Sequence, residues 1–274
     1  MERENLSYYE ELAGKARVDI IKAVYHAGSG HPGGSLSCAD ILTALYFGEM
    51  NIDPEQPDMP GRDRFVLSKG HAVPAQYAVL AERGYYDVED MMSLRKLGSP
   101  FQGHGNMHKV PGIEMSTGSL GQGVSVAVGM ALADKLDGTG ARVYALLGDG
   151  EIQEGLVWEA AMAASHYGLS DLTAIVDWNG LQIDGSNDDV MTVRPIDEKF
   201  RAFGWDVQVI DGHNFRQIFD ALDKARETDR PSCIIAKTVK GKGVSFMEGE
   251  AGWHGKAPSE EQARQAVEEL GGEW

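Results

Sequence analysis

Short apolar runs alternate along the chain with longer stretches of helical periodicity, and this order predicts an α/β fold. The predicted strands are residues 65–67, 142–147, 172–176, 206–210 and 233–236. The predicted helices are residues 5–27, 37–47, 71–83, 118–135, 151–167 and 215–226, with a charged amphipathic helix from 259. Strands that are apolar throughout are typical of a sheet buried on both faces, so we expect a doubly wound, mainly parallel sheet with helices on both faces.

Two of the predicted strands end in side chains that suit a divalent ion. Gly148-Asp149-Gly150 follows the strand at 142–147, and Asn179 follows the next strand along the chain. A crossover helix between them places the two strand ends side by side. An acid and an amide there can hold Mg²⁺ against a diphosphate, and the glycines let the phosphate approach the backbone. The alternative is an Asp-Gly turn with an unrelated asparagine, which the intervening helix and the turn at 181–185 disfavour.

Composition and charge narrow the class of protein. The chain has 274 residues, of which 42% are hydrophobic and 24% charged, which is typical of a globular protein. No apolar run is long enough for a membrane span, and residues 1–6 are too acidic and polar for a signal peptide, so we expect a cytoplasmic protein that binds no membrane. The net charge of −17 argues against nucleic-acid binding. Cys38 and Cys233 lie far apart and predict two reduced thiols.

Four histidines lie in or beside glycine-rich loops: His31, His71, His104 and His254. They could form a metal cluster, or they could donate and accept hydrogen bonds to a polyhydroxylated, phosphorylated ligand. We favour ligand recognition, because no acidic partner has a zinc spacing and the glycines around His104 and His108 make a metal-binding helix improbable.

Two further segments each allow two structural interpretations. Residues 28–33 fit the letters of a dinucleotide-binding G-x-G-x-x-G motif, but they follow a helix instead of a strand, so we interpret them as a tight loop that presents His31. Residues 237–243 follow the last strand and are either a phosphate-facing loop or a solvated basic turn.

Together these segments resemble the N-terminal, diphosphate-binding half of transketolase. The matching segments occur in the family's order at residues 28–33, 67–71, 117–123, 148–155, 179–185 and 254–255. The resemblance implies the thiamine diphosphate-binding fold, with residues 1–274 forming a single diphosphate-binding domain. It also implies that the pyrimidine-binding and C-terminal domains lie on another chain.

The resemblance further implies thiamine diphosphate with Mg²⁺, or Ca²⁺ or Mn²⁺ in its place. The implied metal ligands are Asp149, Asn179 and the backbone carbonyl of Leu181. The implied cofactor contacts are His71, Gly118, Leu120, Gly148, Asp149, Gly150, Glu154, Asn179, Leu181 and His254. The implied catalytic histidines, which contact sugar hydroxyls or assist proton transfers, are His31, His71, His104 and His254.

Two local departures from the family pattern concern the loops around the site. Gly105 and Asn106 follow His104 where the family usually has Pro and an acidic residue, which affects the sugar contacts. Ser119 replaces a common Pro, and we expect it to cap the helix that follows.

The resemblance implies the N-terminal subunit of a split transketolase, in the pentose phosphate pathway. With a C-terminal partner subunit, it would transfer a two-carbon ketol unit from a ketose phosphate to an aldose phosphate. The partner would supply the glutamate that activates the cofactor, which Glu154 would approach at the interface, in an assembly with two copies of each subunit. The exact sugars stay open, including sulfonated or branched ones. Two alternatives are the α subunit of a 2-oxo acid dehydrogenase, which the histidine settings disfavour, and a non-catalytic diphosphate-binding or scaffold subunit.

Overall fold

A five-stranded parallel sheet forms the centre of the structure, a computed structural model that describes residues 3–274. Its strands lie in the order β1-β2-β3-β7-β6, and every neighbouring pair is parallel. The strands are β1 Arg64–Leu67, β2 Val143–Gly148, β3 Leu172–Trp178, β6 Asp206–Asp211 and β7 Ser232–Lys237, with β4 Leu181–Gln182 and β5 Gly185–Ser186 forming a separate antiparallel hairpin. The predicted fold class and all five predicted strands are confirmed.

Successive residues of each sheet strand enter two different hydrophobic cores. In β2, Tyr144 and Leu146 belong to the core on one face, whereas Val143, Ala145 and Leu147 belong to the core on the other. Side chains alternate between the faces of a strand, so an apolar run without interruption requires cover on both sides. Helices provide that cover on each face.

The helices follow the predicted order with several differences in bounds. They are α1 Leu6–Ala27, α2 Pro32–Ser37, α3 Ala39–Ala44, α4 Val73–Arg83, α5 Val88–Met91, α6 Gln122–Asp137, α7 Gly155–His166, α8 Asn187–Val190, α9 Ile196–Ala202, α10 Phe215–Glu227 and α11 Glu260–Glu269. Gly28 ends α1 in a left-handed conformation (φ 64°), as its position predicted. At the other end of the chain, Ser259 begins α11 with a capping box.

Three predicted helix starts are wrong, each for a local reason. The helix predicted to begin at Ser37 begins at Ala39, after the separate helix α2, which opens with Pro32 because its fixed φ suits the first helical turn. Gly121, at φ 79°, precedes α6, so Ser119 does not cap that helix. The helix predicted from Glu151 opens with a single 3-10 turn and becomes α-helical only at Gly155, because Glu154 is extended.

Several other features of the fold bear on the sequence-based expectations. Cys38 and Cys233 are free and buried, as predicted. Between residues 3 and 274, no helix is both long and apolar enough to cross a membrane. The turn predicted at 181–185 joins the strands of the hairpin β4–β5, which follows β3 directly and lies at the edge where the parallel strands end. The two strands of this hairpin and the short helices α5, α8 and α9 were not predicted.

Candidate active site

A cavity of about 340 Å³ opens at the carboxyl ends of the parallel strands. In open α/β sheets this edge is the usual place for a ligand. All ten predicted cofactor contacts line the cavity, and so does His31. Further lining residues, which the sequence did not single out, are Gly34, Lys69, Glu151, Gln153, Gln182, Ile183, Asp184 and Lys240.

Asp149 stands at the end of β2 and is almost fully buried, at 2% exposure. Its carboxylate accepts hydrogen bonds from the backbone N–H of Gly150 (2.8 Å) and of Gly180 (2.5 Å). Burial, together with the negative charge of Asp177, raises the pKa of Asp149 to about 6. A buried carboxylate without a cationic side chain on it favours a bound cation, which would lower that pKa again.

The other two predicted metal ligands lie at the end of β3. Parallel pairing sets Gly148 beside Asp177, which brings Asn179 to the same edge as Asp149. The Asn179 amide donates to Asp177 Oδ2 (3.4 Å), and its oxygen accepts from the Leu181 N–H (3.1 Å). The Leu181 carbonyl oxygen lies 3.4 Å from Lys240 Nζ. The three predicted ligands therefore meet at one cavity.

A buried ion pair lies behind these ligands. Lys69 Nζ contacts Asp177 Oδ2 (2.5 Å) and the Gly34 carbonyl (2.7 Å), and both charged side chains are almost completely excluded from solvent. Asp177 also accepts hydrogen bonds from the hydroxyls of Ser37 (2.6 Å) and Thr238. Burial alone would raise the pKa of Asp177, but the charge and hydrogen bond of Lys69 outweigh it and lower that pKa. The pair orients the Asn179 amide through a carboxylate that stays ionised.

Glu151 joins three separate loops of the site. Its buried carboxylate accepts from the Ser68 hydroxyl (2.5 Å), the Gly121 N–H (2.9 Å) and the Gly148 N–H (2.9 Å). Burial is the main reason that the pKa of Glu151 is raised. A side chain that receives three donors stabilises the relative positions of the loops that follow β1 and β2 and precede α6.

The basic loop after β7 has one cation in the cavity and one near the surface. Lys240 is buried, and its Nζ lies 3.1 Å from His254 Nδ1. Burial, reinforced by the charge of Lys69, lowers the pKa of Lys240 to about 8. Lys242 instead forms an ion pair with Glu248 (3.4 Å). Of the two interpretations of residues 237–243, the cavity-facing one therefore holds for Lys240.

Three of the four predicted catalytic histidines form a tight cluster. The ring centroids of His31, His71 and His254 lie 5.0 to 5.4 Å apart, and His104 lies 6.5 Å from His31 without lining the cavity. Burial, aided by nearby cations, lowers the pKa of His31 to about 4, that of His254 to about 3 and that of His71 well below its ordinary value. Partial burial and Arg95 also lower the pKa of His104. The cluster is neutral at physiological pH, so each ring offers one donor and one acceptor.

No group of three or more His, Cys, Asp or Glu side chains between residues 3 and 274 is arranged to hold a metal. An Mg²⁺ site built on one carboxylate, one amide and one carbonyl is of a different kind and does not require such a group.

The close approach of neighbouring side chains explains two of the glycines at the site. A Cβ on Gly150 would lie 3.3 Å from the Gln182 Cβ, and one on Gly118 would lie 3.1 Å from the His104 ring. Larger residues at either position would crowd the cavity wall.

Comparisons with known proteins show the family that this chain resembles. The family described as "Transketolase, thiamine diphosphate binding domain" matches residues 9–273. The 6-deoxy-6-sulfo-D-fructose transketolase subunit SqwG of Clostridium sp. (strain MSTE9) is 48% identical over 244 residues, which are 89% of this chain and 89% of that protein. An apulose-4-phosphate transketolase subunit of Phocaeicola vulgatus is 44% identical over 98% of this chain and 95% of its own. The crystal structure of transketolase from Campylobacter jejuni has a TM-score of 0.92 at 36% identity and covers 98% of this chain, which spans only 43% of that protein.

The chain therefore belongs to the transketolase family and contains that family's thiamine diphosphate-binding domain. Within the family it corresponds to the N-terminal subunit of a transketolase, an enzyme that transfers ketol groups.

Proposed function

We propose that this chain, together with a partner chain, transfers a two-carbon ketol unit from a ketose phosphate to an aldose phosphate. The observation that supports this most directly is the meeting, in one cavity, of Asp149, Asn179 and the Leu181 carbonyl with the neutral cluster of His31, His71 and His254. The first group suits a metal diphosphate, and the second suits a sugar with several hydroxyls.

The metal in this proposal is Mg²⁺, bound by Asp149, Asn179 and the backbone carbonyl of Leu181. All three offer oxygen atoms, which hard divalent cations prefer, so Ca²⁺ or Mn²⁺ could replace it. The residues fit such an ion, because the buried Asp149 carboxylate accepts hydrogen bonds from backbone N–H groups, forms no salt bridge with any residue that the structure describes and lies near a second carboxylate, Asp177. A divalent cation would offset both charges.

The diphosphate of the cofactor is held on this proposal by backbone and cationic groups. Gly150 offers a close backbone approach, His71 and His254 offer ring N–H donors, and Lys240 offers a positive charge. Gly118 and Leu120 line the remaining wall, against the ring end of the cofactor. Thiamine diphosphate supplies, when bound, the reversible cleavage of a carbon–carbon bond next to a ketone.

The histidines bind and position the substrate. Each neutral ring can accept a proton from one hydroxyl and return it to another oxygen. Breaking and forming a carbon–carbon bond beside a carbonyl requires such proton transfers. His31 and His254 line the cavity, whereas His104 lies beside His31 and would contact the more distant part of a longer sugar. Gly105 and Asn106 follow His104, so this end of the site would distinguish substrates.

The partner chain docks, on this proposal, on apolar faces of α6 and α7. These two helices contact each other, and both expose apolar side chains, among them Leu136 (79% exposed) on α6 and Met162 (59%) on α7. Glu154, which immediately precedes α7, lines the cavity. A partner seated there would close the cavity and bring its activating glutamate near Glu154. A cytoplasmic location and an assembly with two copies of both chains stay predictions from the sequence.

Co-purification with a candidate partner, followed by a substrate panel, tests the proposal. The panel contains pentose and hexose phosphates, as in the pentose phosphate pathway, together with a 6-sulfonated ketose and a branched-sugar phosphate, since two relatives are named for such substrates. We expect ketol transfer by the complex with Mg²⁺ and thiamine diphosphate, and none by either chain alone. Full ketol transfer by this chain alone would refute the two-chain proposal, and turnover of 2-oxo acids in place of sugars would favour the dehydrogenase alternative. A non-catalytic role would be supported if Asp149→Ala left the complex fully active.

A further inference from the structure

Arg95 has a backbone conformation that arginine rarely adopts. Its φ is 60°, and within residues 3–274 it is the only residue other than glycine with a positive φ. A left-handed conformation is unfavourable for a residue with a Cβ, and such strain is retained mainly where the surrounding structure requires it. The Arg95 N–H donates to the Phe101 carbonyl (2.8 Å), which holds the turn in place.

This turn places the Arg95 guanidinium at the edge of the histidine cluster. Nη2 lies 3.5 Å from His31 Nδ1, and Nη1 lies 3.5 Å from the Ser29 hydroxyl. The guanidinium packs closely against Gly103, where an added Cβ would lie 2.5 Å from its Cζ. No carboxylate in the described part of the chain forms a salt bridge with Arg95, and its Nε is buried without a hydrogen-bond partner. The guanidinium is therefore placed beside histidines instead of beside an acid.

Hydrogen-bond chemistry then defines the state of the His31 ring. A guanidinium has only donors, so the ring nitrogen that faces it must be an acceptor, and a neutral His31 carries its proton on Nε2. The Nε2 edge lies on the opposite side, toward the loop of His254, where a Cβ on Gly255 would be 3.5 Å away. The other groups facing His31 are His71, His104, His254 and Lys240.

We propose that Arg95 is a positioning residue of the histidine cluster, whose guanidinium orients the His31 ring so that its Nε2–H faces the loop of His254 at the cavity. It acts through His31, the cavity-lining side chain that its guanidinium contacts. The proposal rests on the proposed function only in assuming that His31 meets the substrate.

Electrostatics supports the same arrangement. After burial, the charge of Arg95 is the next largest cause that lowers the pKa of both His31 and His104. It is not among the causes that lower the pKa of His71 or His254, which respond to Lys69 and Lys240 instead. The four histidines therefore divide into two groups that can be distinguished by experiment.

Two variants separate the charge of Arg95 from its geometry. Arg95→Gly removes the guanidinium and suits the left-handed backbone, so it should fold with an unchanged thermal midpoint. Arg95→Lys keeps the charge but lacks the planar fork. Lys96→Met, at the exposed neighbouring residue, is the matched control. Nitrogen-15 NMR of histidine-labelled full-length chain measures the pKa and tautomer of each ring.

In Arg95→Gly we expect the pKa values of His31 and His104 to rise while those of His71 and His254 stay constant. In Arg95→Lys we expect the pKa values to stay low but His31 to become a mixture of tautomers. With the partner chain, Arg95→Gly should lower kcat/KM for ketol transfer about tenfold and shift its acid limb, with partial rescue by Arg95→Lys. Unchanged His31 signals in Arg95→Gly, or an equal shift of all four rings, would overturn the proposal. If the NMR changes occur but the wild-type complex transfers no ketol group, the proposed function fails and the positioning role stands.

Discussion

Buried polar groups are stabilised in different ways at the two ends of the cavity. At the strand-end side, Lys69 and Asp177 are charged, paired and almost completely buried. At the histidine side, His31, His71 and His254 are neutral and half-buried, and their pKa values are lowered. A fixed ionic frame suits a ligand that stays in place, such as a metal diphosphate. Neutral rings suit a ligand whose hydroxyls exchange protons during the reaction.

Replacing Asp149, the anionic metal ligand, should remove the charge that distinguishes the strand-end side of the cavity from the histidine side. Asp149→Asn keeps the shape but removes the charge that a divalent ion requires, so we expect activity of the reconstituted complex to fall about 10³-fold, corresponding to roughly 4 kcal/mol. Calorimetric binding of thiamine diphosphate in the presence of Mg²⁺ measures the cause directly. Asp184→Asn, an exposed carboxylate on the same cavity, is the matched control and should bind nearly normally. Equal losses in the two variants would contradict the assignment of Asp149.

Breaking the buried ion pair should cost more stability than any change at the histidine side. Lys69→Met leaves Asp177 charged and unpaired, which costs about 3–5 kcal/mol in the free energy of unfolding. Denaturant unfolding measures the loss, and the double variant Lys69→Met/Asp177→Asn should recover part of it. As a control, Arg201→Met breaks the exposed pair with Asp197 and should cost at most about 1 kcal/mol. A loss as small for Lys69→Met would show that the frame is not held by this pair.

Lys240 contacts both ends of the cavity, the Leu181 carbonyl on one side and His254 on the other. Its effect on cofactor affinity should depend on pH. Because its pKa is lowered to about 8, the side chain is charged below that pH and loses its charge as the pH rises through it. We expect the affinity for thiamine diphosphate to weaken above about pH 8, and Lys240→Met to lower it about tenfold and remove this dependence. Lys242→Met, in the same loop but paired with Glu248, is the control. A pH dependence that persists in Lys240→Met would assign it to another group.

The smallest predicted effect concerns the histidine side alone. The pKa values of His31 and His254 are lowered to about 4 and about 3, whereas an unfolded histidine titrates near about 6.5. Between these values the unfolded chain binds protons that the folded chain does not, so stability is fully present above about pH 6.5 and declines as the pH falls toward 4. Solvent screening limits the effect to less than about 1 kcal/mol per ring.

Urea unfolding at several pH values measures that slope, and His254→Gln should reduce it. His108→Gln changes an exposed histidine outside the cavity and should leave the slope as it is. If the two variants gave the same slope, the cluster would not be its source.

The difference between the two ends also explains what the sequence could predict. Asp149 and Asn179 were predictable because parallel strands bring their carboxyl ends together and each residue directly follows an apolar run. The four histidines were recognised by their glycine-rich settings. Lys69 lies in one of the matching segments, but its partner Asp177 is 108 positions away. No local sequence pattern predicts that ion pair.

Other residues of the site were missed for related physical reasons. Glu151 was assigned to a regular helix, whereas the 3-10 turn that contains it directs its carboxylate toward Ser68 and Gly121. Arg95 could not be recognised, because nothing in its neighbours predicts a left-handed backbone at an arginine. Local periodicity indicates elements and their ends, but not the side chains that meet between distant loops.

The long-range hydrogen bonds of Glu151 bear on the order in which parts of the molecule fold. The hydroxyl that it binds, on Ser68, is 83 positions away along the chain, and the Gly121 N–H is 30 positions away. Contacts between residues so far apart close large loops, and their entropy cost is recovered only once the strands between them have paired. We therefore expect the loops that surround the cavity to become ordered after β1 and β2 have joined. On this expectation a nascent chain acquires its ligand pocket late, as a property of the assembled sheet.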